Sequence, residues 1–327
     1  MFLQSFAIFS LLVAALGAPK PAISGPLTKD FQSWLSASNY GSYDFVRADY
    51  GTQGSFGGKT PESKKSKEVS NTPVIFIHGN SDAALKRSTQ ASGWTNSIQY
   101  FLENGYTSAE LYATSWQDTN ALNAAKRTHN CKDLIRLRKF LEAVMAYTNS
   151  TKVSIVSHSM GVTLARKIVK GGSVSAKDGK CNLGPAINEK VEVFVGISGA
   201  NYGLCNCAGT SFQKTCNKEN GFYPGTCGTN QFGCGITKTA CDKVTYSSYL
   251  MDLNNDRTKE ADLVVSMWSS SDDLIGYGDL VWGRPTSLIP TSDGKIVYPS
   301  YTHMQSKELT FADQYNLVKE KKIPTAF

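Results

Sequence analysis

Apolar residues along this chain come in short, unbroken runs separated by longer segments with a helical period. Residues 73–77 read Pro-Val-Ile-Phe-Ile, 153–156 read Val-Ser-Ile-Val, 191–197 read Val-Glu-Val-Phe-Val-Gly-Ile and 263–268 read Leu-Val-Val-Ser-Met-Trp. Runs of this length and β-branched character predict strands buried on both faces of a parallel sheet. Residues 111–113 and 296–298 are shorter candidates. Between them, Leu134, Leu137, Leu141 and Val144 form one stripe of a helix predicted over 131–147. A second helix is predicted from Met160 to Val169, stopped by Gly171-Gly172. A third, over 28–37, carries Phe31, Trp34 and Leu35 on one face, and a fourth closes the chain over 311–319. Strands alternating with helices predict an α/β fold built on a mainly parallel sheet flanked by helices. Residues 39–59, rich in Tyr and Gly, and the polar stretch 61–73 read as a covering segment followed by a loop.

The abrupt junction at Ser159 is where chemistry enters. A strand ends in Ser157-His158-Ser159-Met160-Gly161 and a helix begins at once. A serine on such a turn has its hydroxyl exposed above a helix N-terminus, the nucleophile-elbow arrangement usually written G-x-S-x-G. Here Gly161 keeps the second small position and Ser157 replaces the first glycine.

A serine hydroxyl needs a base to take its proton and an acid to orient that base. In this arrangement the order is Ser, then acid, then His. The chain has four histidines, and only His303 follows Ser159. The acid belongs after the strand at 263–268, where Asp272 and Asp273 are adjacent; Asp273 is the preferred candidate, with Asp272 as runner-up. Charge developing on a carbonyl oxygen requires prepositioned N–H donors. The backbone N–H of Met160 is one candidate. The other is that of Asn80 in Ile77-His78-Gly79-Asn80-Ser81, where Gly79 allows close approach. His78 reads as a structural hydrogen-bonding residue beneath this loop.

These segments, with Gly196-Ile197-Ser198-Gly199-Ala200-Asn201 and Ser271-Asp272-Asp273-Leu274-Ile275, resemble the class 2 lipase family of α/β-hydrolases. The likeness extends to secreted, cysteine-rich lipase-related proteins of nematodes and, more distantly, to small bacillary lipases, which carry Ala at the first elbow position. It covers residues 73–303. The resemblance implies an α/β-hydrolase fold and carboxylic-ester hydrolysis on lipid or small esters, with Ser159 as nucleophile, His303 as base and Asp273 as acid. No cofactor and no metal is implied. The competing reading is a secreted lipid-binding or interaction protein that has lost activity on the same scaffold.

Composition adds a compartment. Residues 1–17 read as a secretory signal: an apolar core too short to span a bilayer, followed by Ala15-Leu16-Gly17. Residues 18–327 are then one domain, secreted and extracellular, and no later run predicts a transmembrane span. Eight cysteines fit that setting. Cys131 and Cys181 stand apart, while Cys205, Cys207, Cys216, Cys227, Cys234 and Cys241 crowd a Gly- and Asn-rich insertion over about 203–241. All eight are expected in disulfides of unassigned pairing, and the insertion is a candidate cap over the serine. Asn149-Ser150-Thr151 is a glycosylation acceptor at the end of the sheet opposite Ser159.

The net charge of +7 includes basic runs at 64–67 and 132–139. These read as solvated faces with no nucleic-acid module, leaving at most a transient contact with a lipid interface. Tyr112, Trp116, Tyr202 and Phe232 are candidate acyl-chain lining. Nothing in the sequence sets an oligomeric state.

Overall fold

The computed structural model describes residues 22–61, 63, 69–176, 178–230 and 232–323. The expected signal at 1–17 and the basic run at 64–67 lie outside them.

Seven strands form one sheet: β1 (Ser55–Phe56), β2 (Val74–Ile77), β3 (Leu111–Thr114), β4 (Val153–His158), β5 (Val191–Ile197), β6 (Leu263–Ser269) and β7 (Gly294–Tyr298). Their order is β1-β3-β2-β4-β5-β6-β7. Every pairing is parallel except β1 with β3. The apolar runs are continuous because both faces are covered. Ile75, Ile77, Val153, Ile155 and Phe194 enter one core; Val74, Phe76, Val156, Val195 and Met267 enter the other.

The first core is closed by α1 (Lys29–Ala37), α3 (Cys131–Thr148) and α4 (Met160–Lys170). The second is closed by α2 (Thr95–Glu103) and α7 (Phe311–Glu320), which meet through Ile98, Phe101, Leu317 and Val318. Two further helices, α5 (Ser248–Asn255) and α6 (Gln305–Glu308), lie in connections. The α1 stripe buries Phe31 and Leu35, and Thr28 caps it by accepting from Phe31 N–H. Asn149 ends α3 in the left-handed region and is exposed at the amino end of β4.

Four disulfides join all eight cysteines: Cys131–Cys181, Cys205–Cys234, Cys207–Cys216 and Cys227–Cys241. Three of them lie within the insertion, which packs on the loop after β6. Asn206 Nδ2 donates to Leu274 O at 2.9 Å, Trp282 N–H donates to Cys234 O at 2.8 Å, and Gly235 lies against the Tyr277 ring. No helix among the described residues is long and apolar enough to cross a membrane.

Candidate active site

All the segments singled out for chemistry follow the carboxyl ends of parallel strands, where loops of an open α/β sheet converge. His78 to Ser81 follow β2, Ser159 follows β4, Asp272 and Asp273 follow β6, and His303 follows β7.

Ser159 has φ 55° and ψ −129°, a conformation that non-glycine residues rarely adopt. It is partly exposed, and α4 begins at the next residue. The turn is tight at Gly161, where backbone closes in. A Cβ on Gly161 would lie 2.4 Å from His78 O and 2.5 Å from Ile77 O, so only glycine fits. Ser157 is tolerated at the other position because its buried hydroxyl donates to Val195 O of β5 at 3.1 Å. Met160 starts the helix, so its N–H has no intrahelical acceptor.

The loop after β2 is drawn against the serine. A Cβ on Gly79 would stand 2.7 Å from Ser159 Cβ. His78 is fully enclosed: its Nε2 accepts from Trp116 N–H at 3.0 Å and its Nδ1–H donates to Gly79 O at 2.8 Å. Burial lowers its pKa to about 4, so it holds the loop as a neutral ring. Asn80 is fixed through its side chain, donating to Ala124 O at 3.0 Å and accepting from Arg127 at 2.7 Å. Arg127, itself paired with Asp118, has no motif around it and was not among the expected site residues.

His303 is 6% exposed. Its Nδ1 lies 2.7 Å from Asp272 Oδ2. Asp273 takes a different place: it is exposed, and its Oδ1 accepts the backbone N–H of His303 at 2.8 Å. The preference for Asp273 beside the imidazole is therefore not what the geometry provides. The loop decides it, because Asp272 Oδ1 accepts from Leu274 N–H and Ile275 N–H at 3.0 and 2.8 Å, turning that side chain inward. Burial opposes ionisation of Asp272, but the interaction with His303 and these two N–H groups together outweigh it. The carboxyl is held below its usual range.

His158 joins the elbow to the histidine turn. Its Nε2–H donates to His303 O at 3.0 Å, and the two ring centroids are 4.6 Å apart. Burial, and next the neighbouring His303, hold its pKa well below the ordinary histidine value. Ser306 Oγ also donates to His303 O, at 2.7 Å.

The expected acyl lining is not assembled. Tyr112 and Trp116 are sealed in the core at 0% and 1% exposure, and Phe232 projects into solvent at 92%. Tyr202 packs against Tyr246 and Arg284. A cavity of about 1250 Å³ opens between the N-terminal segment, the loop after β3, the start of α3 and the insertion. Its lining is mostly charged and includes none of Ser159, Asp272 and His303.

Among solved structures, the chain is similar to α/β-hydrolase domain-containing protein 10 from mouse. The identity is 13%, over 82% of this chain and 93% of that one, with a TM-score of 0.42. A monoacylglycerol lipase from Paleococcus ferrophilus shows 12% identity over 76% and 96%, with a TM-score of 0.42. These likenesses are distant, and the assignment rests instead on the sequence profile of lipase (class 2), which matches residues 71–316. The chain is an α/β-hydrolase belonging to the class 2 lipase family.

Proposed function

We propose that this chain is an extracellular carboxylic-ester hydrolase working through an acyl-enzyme on Ser159. His303 takes the serine proton as Oγ attacks the ester carbonyl, and Asp272 orients the imidazole and stabilises the imidazolium. The N–H groups of Met160 and Asn80 receive the oxyanion. His303 then protonates the leaving alcohol, and water repeats the sequence to release the acid. Such acyl transfer requires no metal or organic cofactor. The observation that carries this reading is the 2.7 Å pairing of His303 Nδ1 with Asp272, on a turn bonded to the neighbour of a strained serine.

The family match supports a lipid ester as substrate. So do the exposed apolar side chains at this edge of the sheet. Leu122 lies on the helical turn Ala121–Lys126, which packs against the turn Lys214–Cys216 just after Phe212, and Leu274 and Tyr277 follow Asp272 and Asp273. Phe232 and Ile236 flank Cys234 in the insertion. Apolar residues held in solvent around a site favour contact with a lipid surface, and the insertion is then a stapled rim to that contact. Four disulfides support an oxidising, extracellular setting, in which Asn149 is an accessible glycosylation acceptor.

Hydrolysis of p-nitrophenyl esters from acetate to palmitate tests the proposal. Turnover that rises with acyl length and vanishes in Ser159→Ala is expected. Inertness across the whole series would contradict it.

A further inference from the structure

Beneath the loops just described lies a second charged centre. Asp82 is 2% exposed and Lys307 is 1% exposed, and Lys307 Nζ stands 2.5 Å from Asp82 Oδ2. The ammonium also donates to Ser92 Oγ at 3.0 Å and sits 5.4 Å from the Trp94 ring centroid. The other carboxylate oxygen accepts Ala83 N–H at 2.9 Å and Gly93 N–H at 2.8 Å. Burial opposes the charge on Asp82, but Lys307 and the surrounding donors, Gly93 N–H among them, together keep the carboxyl below its usual range.

Burying two charges is a poor route to stability, since apolar residues of similar size often serve as well or better. The position of the pair is more informative than its energy. Asp82 lies two residues after Asn80, and Lys307 lies four after His303. The strands that carry these segments, β2 and β7, are separated in the sheet by β4, β5 and β6. No ladder hydrogen bond sets the spacing between the Asn80 loop and the His303 turn, and the ion pair spans it directly. On the same side, Gln314 Nε2 donates to Lys307 O at 2.8 Å and Ser97 Oγ donates to Gln314 Oε1 at 2.7 Å. These bonds anchor the lysine backbone to α7 and α2.

We infer that Asp82 and Lys307 are positioning residues whose pairing sets the register of the oxyanion loop against the histidine turn. The inference rests on the ester-hydrolase reading of the same site. Each residue acts through a neighbour: Asp82 through the turn carrying Asn80, and Lys307 through α6 and its contact with the His303 segment.

The test compares wild type with Asp82→Asn, Lys307→Met and the double variant. The readouts are melting temperature, kcat and KM on p-nitrophenyl butyrate, and amide hydrogen exchange. Lys307→Met strands a buried carboxylate and is expected to lose both stability and kcat. The double variant buries no charge and is expected to regain thermal stability while kcat stays down about 10- to 100-fold, with KM changed far less. Exchange in residues 79–83 and 303–309 is expected to rise together, with that of α3 unchanged. Should the double variant not fold, Asp82→Asn, which keeps the shape of the side chain, carries the same kcat and exchange readouts. Wild-type kcat in whichever variant is read, or unchanged exchange in residues 79–83, overturns the inference. Wild type inert towards the ester would remove the hydrolase reading, and the exchange measurement would still decide the tie.

Discussion

Asp272 and His303 meet side chain to side chain, Oδ2 to Nδ1 at 2.7 Å, while the adjacent Asp273 holds only the backbone N–H of the same histidine. The two aspartates therefore make different contacts, one with the imidazole and one with the loop backbone. Asp272→Asn is expected to lower kcat by on the order of 10⁴-fold, the cost of presenting the wrong tautomer to the serine. Asp273→Asn keeps the imidazole paired and is expected to cost about 10-fold or less. Steady-state kinetics on one soluble ester checks both; the reverse ranking would reassign the acid.

His158 donates to His303 O and stays neutral beside it, so it supports the His303 turn without adding a charge. His158→Phe removes that donor and is expected to lower kcat by about 10-fold, with KM little changed. His158→Gln, which keeps a donor, is expected to recover part of the loss. Equal damage from both substitutions would point to packing alone.

Asp279 provides a pH signature of the fold. It is 0% exposed, and its carboxyl accepts from Ser287, Oγ at 2.6 Å and N–H at 3.1 Å. Burial pushes its pKa up to about 8, against the Ser287 hydrogen bonds and helped by Asp272. An unfolded aspartate titrates near ~3.9, so between about pH 4 and 8 the folded chain holds a proton that the unfolded chain has released. This group therefore makes stability fall as pH rises through that window. Asp279→Asn is expected to raise the melting temperature at pH 8 and to change it little at pH 4. Parallel wild-type and variant profiles across that range would contradict this.

The Cys205–Cys234 bridge joins positions 29 apart in the insertion, and Cys234 O accepts from Trp282 N–H in the loop after β6. Replacing both cysteines by serine is expected to cost ~2–4 kcal/mol of unfolding free energy, measured by urea denaturation.

The legible parts of this chain are those that burial dictates. β2, β4, β5 and β6 stand out because both faces are covered, so their runs carry few polar residues. Ser159 and His303 stand out because the order of the segments leaves one eligible histidine. The helix α2 is less visible: Ile98 and Phe101 are its buried large residues, set among polar neighbours, and its partner α7 lies far along the chain. The choice between Asp272 and Asp273 depends on which side chain caps Leu274 and Ile275, a matter of loop dihedrals on which adjacent identical residues are silent. Tyr112 and Trp116 fit an acyl-chain lining in the sequence because aromatics serve a core as readily as a pocket; in the fold both are core. Arg127, Asp82 and Lys307 lie in no motif, and they act through contacts that only the folded chain creates.

The proposed chemistry depends on Ser159 being an activated nucleophile. A fluorophosphonate probe measures this without reference to substrate. Covalent labelling of wild type at Ser159, none in Ser159→Ala, and much slower labelling in His303→Ala are expected. Unlabelled wild type, or labelling that survives Ser159→Ala, would contradict it.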